Sequence, residues 1–408
     1  MRSGDLRSRN RVNDARRGLL RSITRSPDHP ITRLFLAAVL SLGAASAPRS
    51  EPLSFPRDHG SHPAANIEWW YYTGHLTGEA GRSYGFLLVF FRLRQFHLAH
   101  FAWTDVPGKT FRFDEKAHLG LPGIAGAREE SLDVVNEDWS AKEQDGVHRL
   151  RASADGAELE LALTSEKPPV LHGISGIVRK GTGENEFSRY VSITRLAARG
   201  TRKAMGRAET LAGAAWFDHE WGPGALPAEA AGWDWFSLQL SDGSELMLYR
   251  MRRKDGSATP SSSGTFVPAS GPTRHVAWSD VRLESTGSWR SPRSGADYPA
   301  GWRLAVASIG LEASITPVLA DQELVTGKST GVTYWEGACR VDGSRASRPI
   351  RGQAYAELTG YASRDVPGFA AGSSPGGAYF GAGAFVGLGG FSLVSSETMK
   401  LAALSRFR

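Results

Sequence analysis

The stretch EWWYYTGH, Glu68 to His75, sets one acid before four consecutive large aromatics and closes on a histidine. Read as a β-strand, it alternates: Glu68, Trp70, Tyr72 and Gly74 take one face, and Trp69, Tyr71, Thr73 and His75 take the other. Glu68 thus shares its face with one indole and one phenol. Rings of this size dominate cores, so a packed strand with Glu68 paired to an arginine such as Arg92 is one reading. An acid among rings is costly unless it is satisfied or functional. Desolvation would raise its pKa and keep it protonated, which is the state a general acid needs.

The same character continues outward. After residue 50 the chain runs in short apolar or alternating stretches separated by glycine and polar turns, the pattern of an antiparallel β-protein. Glu68 to Leu76 and Ser83 to Leu93 flank TGEAGR as one hairpin. Trp233 to Leu240 and Glu245 to Arg252 flank SDGS as another, with Phe236, Leu238 and Leu240 at period two. GFLLVFF, Gly85 to Phe91, is apolar on both faces and should be central and buried. Leu150 to Thr164, Trp302 to Ala307, Thr333 to Val341 and Gly352 to Leu358 read as further strands. The fold expected is all-β, with sheets closed into barrels that remove exposed edges and can enclose a ligand; an open sandwich is the alternative. The Ser, Pro and Gly-rich stretch Gly256 to Pro272 is the expected boundary between a first domain, 52–260, and a second, 270–362. Residues 363–408 form a Gly/Ala-rich tail without a clear period.

The second cluster of chemical interest is AAWFDHEWGPG, Ala214 to Gly224, followed by GWDWFSLQL. It places Asp218, His219, Glu220 and Asp234 among Trp216, Phe217, Trp221, Trp233 and Trp235. Two carboxylates flanking a histidine suit an acid/base unit in which one orients the imidazole and the other moves the proton. The plain alternative is a turn or bulge in which the acids hold loop amides beside Gly-Pro. No HxxxH or HEXXH spacing joins His62, His75 or His219, and no metal is expected. A G-x-S-x-G elbow, a P-loop and a dinucleotide fingerprint are all missing, so neither a serine hydrolase nor a cofactor-dependent transferase is indicated, and no cofactor is expected.

Charge excludes one class of partner. Residues 1 to 33 hold nine arginines against three aspartates. Removing these from the 48 basic and 42 acidic side chains leaves 39 of each. The body is neutral, so nucleic-acid binding finds no support. The basic arm precedes LFLAAVLSLGAASA, Leu34 to Ala47, which ends small-x-small and reads as a secretory signal occupying residues 1–47, cleaved after Ala47. Fourteen residues are too few to span a bilayer. ARRGLLR, Ala15 to Arg21, also resembles a twin-arginine signal. An exported protein, periplasmic or secreted, is expected. Cys339 is the only cysteine, so there is no internal disulfide, and the domains rest on their cores.

HPAANIEWWYYTGHL, WFDHEWG with the following WDWFSLQLSDGSELMLYRMR, and YWEGACRVDG with YAELTGY resemble the lipocalin-like family that joins AttH-type secreted proteins with carotenoid 1,2-hydratases. The likeness runs from about Phe55 to Tyr361. It implies two tandem lipocalin-like antiparallel β-barrels, an apolar ligand, and partnership with a membrane or transporter. In the hydratase branch water adds across an isoprenoid double bond, which needs an acid, aromatic faces to shelter a cation, and a held water. The family pattern of His-x-Trp and, a strand later, Tyr-x-Asp is met by His219-x-Trp221 and by Tyr249, while the aspartate position holds Met251. The expectation is therefore acid/base chemistry, hydratase- or hydrolase-like, carried by Asp218, His219 and Glu68, with Trp70, Tyr72, Trp221, Asp234 and Tyr249 holding the ligand. The alternative is a non-catalytic carrier or chaperone for an apolar ligand.

Overall fold

The computed structural model describes residues 52–362. The apolar run before Ala47 and the glycine-rich segment from Ser363 lie outside the described residues. Within them the regular structure is almost all strand, with four three-residue 3-10 turns as the only helical elements.

Two antiparallel sheets, each curled into a nearly closed barrel, hold all the strands except Ser288–Arg290 and Asp297–Pro299, which pair with each other. In the first, Ile67–Thr77 lies at the centre between Ser83–Leu93 and Arg207–Gly222. The path continues through Phe96–Asp105 to Thr110–Leu119 on one side, and through Phe187–Ala204 and Ala157–Ser165 to Ala125–Ala127 on the other. In the second, Ala230–Leu240 pairs with Glu245–Arg253 and with Arg348–Thr359, which leads on to Thr333–Arg345. Both expected hairpins form, with Trp70 opposite Phe90 in one and Trp235 opposite Tyr249 in the other. The single strand expected over Leu150 to Thr164 is two, Val147–Ala154 and Ala157–Ser165. They turn at Asp155 and Gly156, both at positive φ, a conformation that glycine adopts freely and aspartate tolerates.

The expected domain boundary is displaced. The chain leaves the first sheet at Gly222 and enters the second at Ala230, so the hairpin 233–252 belongs wholly to the second barrel. The stretch Gly256 to Pro272 lies inside that barrel, and its Ser263–Val267 strand pairs with Glu245–Arg253. Its composition marks a connection within a sheet. The switch of sheets is made by Gly222-Pro223-Gly224, where proline cannot continue a ladder and Gly224 sits at positive φ.

Alternation then builds three cores rather than two. Phe86, Leu88, Phe90, Trp70 and Tyr72 point into the first barrel. Phe236, Leu238 and Leu240 point into the second. The opposite faces of the same strands, including Leu87, Val89, Tyr71, Trp235 and Tyr249, pack against one another between the barrels. This explains why GFLLVFF is apolar on both sides: one face serves a barrel interior and the other the joint. Two glycines permit the close approaches. A Cβ at Gly74 would lie 2.5 Å from the Phe86 ring, and one at Gly85 would lie 2.8 Å from Ala338 Cβ of the other barrel. Polar groups pin the joint as well. His75 Nε2 donates to the Ala354 carbonyl at 2.9 Å, and buried Glu245 accepts from Arg195 at 2.5 Å and Lys167 at 2.6 Å.

Candidate active site between the barrels

The joint is not filled. A cavity of about 140 Å³ lies between the two sheets, many times the ~15 Å³ that a single water needs. Its walls are mostly aromatic and aliphatic, with Trp69, Tyr71 and Phe91 from the first sheet and Trp233, Trp235 and Tyr249 from the second. Four carboxylates face it: Asp218, Glu220, Glu336 and Glu357.

Each carboxylate has a different environment. Glu220 forms an ion pair with Lys180 at 2.7 Å and accepts from Ser188 at 2.5 Å. Lys180 also sits 4.8 Å from the Tyr249 ring centroid, a cation–π contact on the cavity wall. Asp218 accepts from Tyr190 at 2.5 Å, from Trp216 Nε1 at 2.6 Å and from the Ser192 hydroxyl. Burial pushes its carboxyl up to about 7 against those three donors. Glu357 accepts from Trp233 Nε1 at 3.1 Å, and burial raises it likewise to about 7.

Glu336 is the outlier. It is fully buried and stands directly opposite Glu357 across the Thr333–Arg345 and Arg348–Thr359 ladder. Like charges in that position are destabilising. Its Oε1 accepts from Tyr71 of the first sheet at 2.5 Å, whereas its Oε2 has no partner. Burial, with the Glu357 charge beside it, raises its carboxyl well above the ordinary range. Burial and the facing glutamate thus favour the neutral form of Glu336, and its Oε2 is the oxygen left without a partner.

The residues singled out from sequence divide between the two faces of the first sheet and the second barrel. Asp218, Trp221 and Tyr249 line the cavity. Glu68 and His219 meet at 3.0 Å, but inside the first barrel. Trp70 packs beside them, 5.0 Å from the His219 ring centroid, and Tyr72 bonds to His148 at 2.9 Å; both belong to the barrel core and not to the cavity. Asp234 points into the second barrel, paired with Arg250 and with Arg252, the latter at 2.8 Å, and accepts from Tyr361 at 3.0 Å. The run Asp218-His219-Glu220 is not one acid/base unit. Period two sends the two acids to the cavity and the imidazole to the opposite face.

Glu68 itself is the reverse of a neutral acid. It is fully buried, yet Arg92 Nε at 3.0 Å, Ser61 at 3.1 Å, the His62 backbone N–H and two imidazoles converge on it. Burial alone would raise its pKa, but the hydrogen bonds from His219 and His62 outweigh that and hold the carboxyl well below the usual range. Sequence reasoning missed Glu336, Glu357, Tyr71 and Lys180. A usable signal existed for the first two. Tyr334-x-Glu336 and Tyr355-x-Glu357 each put a phenol and an acid on one strand face.

Comparison with known proteins bears on this arrangement. The family model described as AttH-like matches residues 46–361. Among solved structures, a Nitrosomonas europaea protein described as AttH is 35% identical with a TM-score of 0.72, covering 77% of this chain and 99% of its own. Kievitone hydratase from Nectria haematococca is 18% identical with a TM-score of 0.64, covering 79% of this chain and 96% of its own. No curated protein matches.

Proposed function

The chain belongs to the AttH-like family, and from that premise we propose that it adds water across a carbon–carbon double bond of an apolar ligand held between the barrels. The observation that carries this reading is Glu336: a fully buried carboxyl with one oxygen unpartnered, facing an aromatic cavity. A hydratase of the same fold, though remote in sequence, is in keeping with it.

The chemistry assigns each group a task. The Glu336 Oε2–H gives its proton to the less substituted alkene carbon, and the π electrons form the new C–H bond. The tertiary cation left on the other carbon is stabilised by the negative faces of Trp233, Trp235 and Tyr249. A water then forms the C–O bond and passes its spare proton to Asp218, whose affinity near neutrality suits a general base. The proton lost by Glu336 is balanced by the one gained at Asp218. Lys180 and Glu220 neutralise one another at the wall, which keeps the cavity hospitable to an uncharged ligand.

The test uses purified protein with a panel of isoprenoid alkenes in ¹⁸O-labelled water. The expected result is a tertiary alcohol carrying the label, with turnover reduced about 10²-fold or more in Glu336→Gln. Undiminished turnover in that variant would remove Glu336 from the mechanism. Met251, a thioether on the cavity wall where the hydratase pattern has an aspartate, favours the second reading, a carrier. Ligand binding without labelled product would establish that reading instead. Export is part of the proposal as well, and the N-terminal sequence of the protein recovered from cell fractions tests it.

A further inference from the structure

Inside the first barrel, across the sheet from the cavity, His62 Nδ1 and His219 Nε2 converge on a single atom, Glu68 Oε1, at 2.8 and 3.0 Å. The three ligand-type atoms all lie within 4.8 Å of one another. The second Glu68 oxygen is held by Arg92 and Ser61; Oε1 shares the His62 backbone N–H with it and faces the rings.

Both His219 ring nitrogens face atoms that can only accept: Nδ1 lies 3.2 Å from the Asp58 backbone carbonyl and Nε2 lies 3.0 Å from Glu68 Oε1. A neutral imidazole has one N–H, so it donates to one of them and turns a lone pair toward the other. Two acceptors facing each other at this distance repel unless positive charge lies between them. His62 Nδ1 meets the same oxygen, and the other His62 nitrogen faces Asp58 Oδ1 at 3.6 Å. One added proton would satisfy one ring. One cation at the point of convergence would satisfy both rings and the carboxylate together.

We propose that His62, Glu68 and His219 form a binding site for one divalent first-row transition ion. Two imidazoles and a carboxylate are the donor set of zinc and of neighbouring ions such as cobalt, and three protein ligands leave positions for water. Ligands about 2.1 Å from an ion stand about 3–3.4 Å apart, a little more than the 2.8 and 3.0 Å that separate the two imidazole nitrogens from Glu68 Oε1. An imidazole whose other N–H donates to a carbonyl, and a carboxylate whose other oxygen is hydrogen-bonded, are the usual supports of such ligands. His62 lies on the segment before the first strand, whereas Glu68 and His219 lie on the two central strands. The ion would tie that segment to the sheet. The ligand numbers 62, 68 and 219 match no local motif, because two sheet neighbours and a loop supply them.

The site is independent of hydration in the cavity, and its test does not use activity. Tag-free protein is stripped with a chelator and titrated calorimetrically with Zn²⁺, and Co²⁺ is added separately to read its visible absorption. We expect one equivalent bound, a Co²⁺ spectrum of imidazole and carboxylate ligation, and a higher Tm in the metal-loaded form. His62→Ala, at a half-buried loop position, should keep its Tm in chelator while binding at least tenfold more weakly. His219→Gln should do the same if it folds. The inference is overturned if the wild type binds no ion, or if both variants bind as the wild type does. It is equally overturned if ¹⁵N spectra show both His219 ring nitrogens protonated after metal is added.

Discussion

Glu68 and Glu336 are the same residue type, each fully buried and each on a central strand of its barrel, yet they are opposites. Glu68 receives a guanidinium, a hydroxyl, a backbone amide and two imidazoles. Glu336 receives one phenol and faces another glutamate. The lesson is that burial alone does not set the protonation of a carboxyl; its donors, above all charged ones, decide whether the upward push of burial is overcome. The first glutamate is a fixed anion that organises structure, and the second is an acid in waiting.

The largest effect that sharpens this contrast is in stability. Glu68→Ala leaves the Arg92 guanidinium buried without its carboxylate and should cost about 3–5 kcal/mol in denaturant unfolding. Glu336→Gln removes a neutral group with one hydrogen bond and should cost under about 1 kcal/mol. Equal losses at the two positions would break the contrast.

Next in size is the dependence of stability on pH. Asp218 and Glu357 have folded values raised to about 7, above their unfolded values. The native state therefore binds more protons than the unfolded chain between about pH 4 and 7. Stability contributed by these groups is full below that window and declines as pH rises through it, by a total on the order of a few kcal/mol. Asp218→Asn should flatten the decline, as unfolding free energies measured across the window will reveal. A profile unchanged by the substitution would return Asp218 to ordinary behaviour.

Smallest is Tyr71→Phe. It removes the hydroxyl that links the first sheet to Glu336 and should cost about 1 kcal/mol. It also takes away a donor that favours the ionised acid, so the carboxyl should hold its proton more tightly and turnover should fall, with the basic limb of the pH–rate profile moved upward. A fall in turnover with the limb unmoved would mean that Tyr71 acts on packing alone.

How much of this was legible in the sequence follows from the same strand. Alternation in EWWYYTGH separated Glu68, Trp70 and Tyr72 from Trp69 and Tyr71, as the structure does. It could not say which face lines the cavity, because the barrels pack on each other and both faces are aromatic and buried. Glu68 attracted attention as an acid among rings, but its five donors come from a loop, a neighbouring strand and a strand 151 residues away. Glu336 depends on Tyr71, 265 positions distant, and on a cross-strand partner. Composition also misplaced the domain boundary, because a Ser/Pro/Gly-rich connection within a barrel reads like a linker, while Gly222-Pro223-Gly224 is short enough to read like a turn.

The central claim is that Glu336 is neutral in the folded protein. Infrared difference spectra of wild type against Glu336→Gln, taken in D₂O well above the pH at which Asp218 and Glu357 ionise, isolate its carbonyl stretch. A protonated-carboxyl band present in the wild type and lost in the variant is the predicted result. A carboxylate band in its place would contradict the account.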